Sequence, residues 1–257
     1  MFLKAVVTTL LFMVPMIVSS EASPELIVIL DPGHGGNDQG GYDGKGFTLE
    51  DGRKVPEDAY MYDIALRILE HAHAEPWKML LTVFAENIRS SHDVEQPNIL
   101  PPLYDLVYNL RLRDIRVYNG KEGVRKRLDV SNQIPNITEQ NAVFISLHFD
   151  FAPDYVSGTR IFTTKEGARH PFVQILAKSF SHHSLSLFIR GQPKPSITIN
   201  ENLIVLGEGS IMPRVLIEFG NWNAPRDRSL LLSHDGRELY AKAIISALKQ
   251  YFMELKQ

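Results

Sequence analysis

Apolar residues along this chain fall into two alternating patterns: unbroken β-branched runs, and recurrences at three- and four-residue steps. "ELIVIL" (Glu25–Leu30) is of the first kind, the mark of a strand buried on both faces. From Glu57 to about His73 the second kind takes over. Met61, Ile64, Ala65, Ile68, Leu69 and Ala72 recur at helical spacing, which predicts an amphipathic helix. Pro56 stands just before it, where a fixed φ suits the first helical turn. "NAVFISLHF" (Asn141–Phe149) and "PRVLIEF" (Pro213–Phe219, stopped by Gly220) predict two more buried strands. "GTRIFTT" (Gly158–Thr164) and "NLIVLGE" (Asn202–Glu208) read as further strands. A closing helix is predicted from about Asp235 to Met253, with Tyr240, Ile244, Ala247, Leu248 and Phe252 on one face. This alternation predicts an α/β fold: a single domain with a mainly parallel twisted sheet, flanked by helices on both faces.

The middle of the chain breaks the rhythm. "KMLLTVF" (Lys78–Phe84) and "LVYNLRLRD" (Leu106–Asp114) both resemble strands, with room for only one in the core sheet. The stretch between them, with "QPNILPP", is longer than a simple connection needs. Residues 75–108 are therefore expected to be an insertion.

The first residues differ in kind. "MFLK" is a short basic start, "AVVTTLLFMVPMIV" an apolar run, and "SSEAS" a set of small residues suited to cleavage. That layout predicts a secretory signal peptide over residues 1–22. The apolar run falls short of the roughly 20 residues a span needs, and Pro15 interrupts it. The mature domain is then residues 23–257, expected to be exported to a periplasmic or extracellular space, with no membrane attachment after cleavage.

Composition narrows the class further. The chain has 257 residues, 44% hydrophobic and 22% charged, which suits one α/β-sized domain with a sizeable core. A net charge of −3 argues against nucleic acid or an anionic membrane surface as the main partner. With no cysteine, disulfides, thiolate metal sites and a cysteine nucleophile are all excluded.

Chemistry gathers where the strongest runs end. The first leads into Asp31 and His34, the second into His148 and Asp150, the third into Glu218. In an open parallel sheet the carboxyl ends of the strands form the ligand crevice. The helix from Glu57 follows the His34 loop, so its first turn can bring a second carboxylate to the same edge. Two imidazoles and two carboxylates without a thiol suit catalytic zinc, which takes three protein ligands and keeps one position open. On residue types alone, His34, one glutamate and His148 would be ligands, and the other glutamate the base. Singly, each has a plainer reading. Glu57 is an acidic residue favoured at a helix N-terminus, and the others are hydrogen-bonded strand-end residues. Only their joint placement points to a metal.

Four motifs in order carry a resemblance. "ILDPGHGGNDQGG" resembles the opening motif of the zinc-dependent N-acetylmuramoyl-L-alanine amidases of the type-3 family. "EDAYMYDIA" (Glu57–Ala65) is similar to that family's Glu-Lys-x-x-Asn-Leu-x-x-Ala helix start. "RLDVSNQ…VFISLHFD" resembles its Arg-x-x-x-Ala-Asn helix and Ser-Ile-His-x-Asn/Asp strand. "MPRVLIEFGNWNAPRD" resembles its Pro-x-Val-Leu-Val-Glu-x-Gly-Phe segment with a closing acidic residue. The resemblance implies His34, Glu57 and His148 as ligands of Zn2+ and Glu218 as general base. It implies hydrolysis of the amide between the lactyl group of N-acetylmuramic acid and L-alanine of the stem peptide. Peptidoglycan is the implied substrate, a protein activator a further partner, and a monomer the expected state. Asp31 is either a residue that orients a ligand from behind or a strand-end turn carboxylate.

Departures are specific. Phe149 and Phe151 stand where the family has small residues, so a bulkier cleft wall is expected. Met61 replaces the usual Asn. Asn-Trp-Asn-Ala follows Gly220, which predicts a different loop beside Glu218, with Trp222 leaning to the core. "YDGKGFTLEDGRK" reads as an extra hairpin-like loop. His71, His73, His92, His170, His182, His183 and His234 match no ligand position and read as surface or capping residues. A zinc peptidase acting within the stem peptide, or a non-catalytic wall-binding module, are the rival readings.

Overall fold

The first apolar run forms strand β1 (Leu26–Pro32), buried along its whole length. The structure is a computed structural model that describes residues 25–34, 47–49, 52, 54–55, 57–82, 106–107, 115–116, 121–207 and 211–255. The signal-peptide segment, Pro56, most of the glycine loop after His34 and nearly all of 83–120 lie outside the described residues.

A short antiparallel hairpin of β2 (Phe47–Thr48) and β3 (Lys54–Val55) leads into helix α1 (Glu57–Ala72). The expected hairpin-like loop is thus present. Strand β4 (Trp77–Leu81) returns beside β1 in parallel, so of the two middle runs this is the core strand, and the insertion expected over residues 75–108 is corrected at its start, since these residues belong to the main sheet. The described residues of the other form β5 (Leu106–Val107), paired antiparallel with β6 (Ile115–Arg116). Helix α2 (Lys121–Asn132) precedes β7 (Ala142–Asp150), which lies parallel to β1 on its other side. There follow β8 (Val156–Ser157), β9 (Arg160–Thr163), α3 (Pro171–His182), β10 (Phe188–Ile189), β11 (Gln192–Pro193) and β12 (Ile197–Ile199). The chain then runs through β13 (Arg214–Asn221), α4 (Pro225–Leu232) and α5 (His234–Glu254).

The main sheet has the order β12-β9-β13-β7-β1-β4. Its four strands β4, β1, β7 and β13 are mutually parallel, and β9 reverses against β13. Strand alternation sorts the side chains into two layers. Val28, Leu30, Val143, Ile145, Val215 and Ile217 pack toward α1, α3 and α5, with Ile64, Leu176, Ile244 and Leu248 among their partners. Ile27, Ile29, Phe144 and Leu216 pack on the opposite face against Leu128 of α2. Helices therefore cover both faces, as the alternation predicts.

One predicted strand is corrected. In Asn202–Glu208 the apolar residues form a single 3-10 turn, Ile204–Leu206, and the ladder strand is the preceding β12. Val205 and Leu206 are buried against the α2 layer. A short apolar run satisfies a buried turn as well as a buried strand, and periodicity does not separate them. His170 caps α3, its ring Nδ1 accepting the Phe172 amide at 3.2 Å.

Helices α1 and α5 are joined by a buried charge cluster. Asp63, fully buried, accepts from Arg67 Nε at 2.8 Å and from Arg237 Nε at 2.5 Å. His71 and Glu238, in contact at 2.7 Å, extend the cluster toward solvent. Removing one member leaves the others charged and buried. Asp63→Ala is expected to lower unfolding free energy in urea by about 3–5 kcal/mol; a loss under 1 kcal/mol would show that water replaces the carboxylate.

Candidate metal centre

The β1–β7 ladder sets Asp31 opposite Ser146 and Pro32 opposite Leu147. The Gly33 amide extends it by donating to the Leu147 carbonyl at 2.8 Å. Gly33 thereby comes against the ring of the following residue on β7, His148. A Cβ on Gly33 would collide with that imidazole, so glycine is needed here for close approach. His34 then takes the chain off the sheet at φ +60°, a left-handed conformation uncommon for a residue with a side chain and often met at functional sites.

Glu57 arrives from the first turn of α1. Its Oε1 lies 3.4 Å from His34 Nε2 and 3.4 Å from His148 Nδ1, and accepts the Phe149 amide at 2.9 Å. The two imidazoles stand edge to face, centroids 4.9 Å apart at 80°. One donor atom from each of the three residues lies within 4.8 Å of the other two. Among the described residues no other such trio of His, Asp or Glu is found. Burial pushes the Glu57 carboxyl up, but the charge of His34, with His148 acting the same way, outweighs it and holds the group down to about 2.

The two Glu57–histidine separations fit ligands sharing a metal better than they fit direct hydrogen bonds. A good N–H···O bond spans about 2.7–3.2 Å, whereas ligands at about 2.0–2.2 Å on a tetrahedral ion stand about 3.4 Å from one another. A carboxylate between two imidazoles, all reached from backbone-fixed strand and helix ends, is a donor set suited to a borderline-soft divalent cation.

Glu218 lies beside this trio, directly opposite His148 in the parallel β7–β13 register. Its Oε2 is buried and has no hydrogen-bond partner among the described residues. Burial pushes the carboxyl well above its usual range, and the charges of Glu57 and Asp150 push the same way, against His34 and Arg160. Arg160 is Glu218's antiparallel partner on β9, with Nη1 3.6 Å from Asp150 Oδ2.

Asp31 belongs elsewhere. One oxygen takes Thr82 Oγ1 at 2.5 Å and Arg127 Nε at 2.7 Å, and the other takes Ser146 Oγ at 2.8 Å. It shares strand parity with Ile27 and Ile29, facing the α2 layer. The carboxylate ties β1 to β4, β7 and α2, and makes no hydrogen bond to His34, Glu57, His148 or Glu218. The reading in which it orients a ligand is set aside.

The loop after Glu218 is braced by two residues that patterning alone missed. Asn221 accepts from the Ala152 amide and donates to the Pro153 and Val156 carbonyls, each bond 2.8–2.9 Å long. Asp227 accepts the Gly158 amide at 2.7 Å and the Asn221 amide at 3.0 Å. Trp222 is buried, its ring stacked on Phe47 at 4.4 Å and 7°.

A family model for N-acetylmuramoyl-L-alanine amidases matches residues 28–250, which takes in the main sheet except the first two residues of β1. The chain belongs to this family. Membership makes it an amidase of peptidoglycan, in line with the motif resemblance. Similar solved structures agree on the fold. The N-acetylmuramyl-L-alanine amidase Ami1 from Mycobacterium smegmatis is 18% identical with a TM-score of 0.58, covering 89% of this chain and 97% of that one. The catalytic domain of CwlV, an N-acetylmuramoyl-L-alanine amidase from Bacillus (Paenibacillus) polymyxa, is 18% identical with a TM-score of 0.57, covering 89% and 98%. The CwlD amidase from Clostridioides difficile, solved in complex with the GerS lipoprotein, is 16% identical with a TM-score of 0.58, covering 89% and 99%. A comparison with curated proteins gave no match. Among the described residues, no helix is long and apolar enough to cross a membrane.

Proposed function

We propose that this amidase is zinc-dependent, with His34, Glu57 and His148 as ligands and Glu218 as general base, and that it acts on peptidoglycan after export. The observation that carries the reading is the convergence of two imidazoles and a carboxylate within 4.8 Å, beside a buried carboxylate oxygen without a partner. When bound, zinc would supply Lewis acidity, acidifying water toward neutrality and polarising a carbonyl.

The chain's own residues do the rest. Glu218 accepts the proton of the attacking water as its oxygen adds to the lactyl carbonyl carbon. The same carboxyl then returns that proton to the leaving L-alanine nitrogen as the C–N bond breaks, so the proton balance closes on one residue. The Phe149 amide fixes Glu57, and Gly33 gives His148 room to hold its orientation. The CwlD structure is a complex with a lipoprotein, and we propose a protein partner here on that precedent.

Digestion of purified peptidoglycan, with mass analysis of what is released, tests the reading. Intact stem peptides with an L-alanine amino end, released only when zinc is supplied, are expected. Cuts within the stem peptide would mark a peptidase instead, and binding without release a non-catalytic module.

Gly33→Ala is expected to weaken zinc binding by roughly 10–100-fold, the loss typical when a ligand's support is disturbed. Competition against a chromogenic chelator measures it, with circular dichroism as the check on folding. Unchanged affinity would mean that His148 is free to shift without leaving the site.

A further inference from the structure

We propose that Phe151 is a saccharide-stacking residue, its ring a platform for the muramic acid sugar that carries the stem peptide. The proposal rests on the amidase reading above. Phe151 is 68% exposed, a high value for a phenyl ring beside a catalytic edge. It is not a loose side chain. Its ring lies nearly parallel to Phe47, at 6.4 Å and 11°, and Phe47 is stacked on buried Trp222. Phe149 closes on Phe47 edge to face at 6.0 Å. The outer ring is thus oriented by rings anchored in the core, and its flat surface is presented to solvent at little entropic cost on binding.

Position selects the occupant. Phe151 follows His148 by three residues, no more than about 10 Å of extended backbone, and leaves the sheet at the edge where His148 and Glu218 are paired. In the proposed substrate the scissile carbonyl belongs to a lactyl group borne directly on the sugar. The pyranose must therefore lie next to the cut, and its C–H face is the apolar, planar surface that an aromatic ring accepts. The stem peptide leaves on the other side of the amide.

Two substrates with the same amide separate this role from a general one: a muramyl pentapeptide, and the lactyl pentapeptide that lacks the sugar. Phe151→Ala is expected to lower the ratio of kcat/KM for muramyl over lactyl peptide roughly tenfold, the worth of one stacked ring. The change should fall in KM. Phe151→Tyr should keep the ratio, and Phe151→Leu, apolar but not flat, should lose it. Equal losses on both substrates, or a ratio unmoved by Phe151→Ala, would overturn the proposal. So would a change in mass by light scattering with the ratio intact, which would assign the ring to contact between copies of the chain. If the unaltered protein, loaded with zinc, cleaves neither substrate, the proposed mechanism for the chain acting alone fails. Calorimetric binding of the muramyl peptide then decides the stacking role, weaker in Phe151→Ala if it is right and equal if it is wrong.

Discussion

Glu218→Gln is expected to lower kcat on peptidoglycan by roughly 10²–10⁴-fold, the usual contribution of a positioned acid–base group, and to make the metal-free protein more stable at neutral pH. The two effects have one cause. The Glu218 carboxyl is pushed up first by burial, then by Glu57 and Asp150, so the folded chain holds this proton at pH values where the unfolded chain has released it. More protons bound in the folded state means stability falls as pH rises, from the ordinary glutamate value near about 4.3 through the raised one. Glutamine fills the same space and has no proton to lose. The melting temperature of Glu218→Gln should therefore exceed that of the unaltered protein at pH 7, with the gap closing toward pH 4. The three proposed ligands are untouched, so zinc should still bind. Retained turnover would remove Glu218 from its role as base, and a lower melting temperature at pH 7 would show that the buried carboxylate has a partner in solution.

Much of this arrangement is legible in the sequence because the sheet is parallel. Unbroken β-branched apolar runs as long as those around Val28, Ile145 and Val215 read as strands covered on both faces, and parallel strands share a carboxyl edge. His34, His148 and Glu218 are thereby placed together without knowledge of a single contact. What stays hidden depends on approach between segments. Nothing local says that Gly33 makes room for the ring of His148 rather than for its own loop. Arg160 escapes because β9 reverses direction, and an antiparallel register cannot be read from a run of four residues. Asp31 shows the limit of edge reasoning. It stands at the right end of the right strand, yet alternation turns its side chain to the α2 layer, where Arg127, Thr82 and Ser146 hold it. Ile204–Leu206 fails for a different reason, since three apolar residues are buried equally well as a turn.

Removal of the metal is expected to abolish peptide release, and stoichiometric zinc to restore it. Glu57 is the residue on which this turns. Its carboxylate is the negative centre between two imidazoles, held to about 2 although burial opposes the charge. With a divalent cation bound, the charge of the ion would supply that compensation and the imidazoles would be held as neutral donors, so binding would release protons and weaken in acid. Glu57→Gln separates charge from shape, because its side-chain oxygen can still accept the Phe149 amide. Zinc affinity in this variant should fall by more than the roughly 10–100-fold that loss of an outer-shell partner costs. Activity should fall with it and return partly at high zinc. Binding should also register as stability, about 2.7 kcal/mol when free zinc is 100 times its dissociation constant, and Glu57→Gln should need far more zinc for the same shift in melting temperature. Full activity after chelation, with no zinc-dependent shift, would leave the three donors as a hydrogen-bonded cluster and the hydrolysis without its metal.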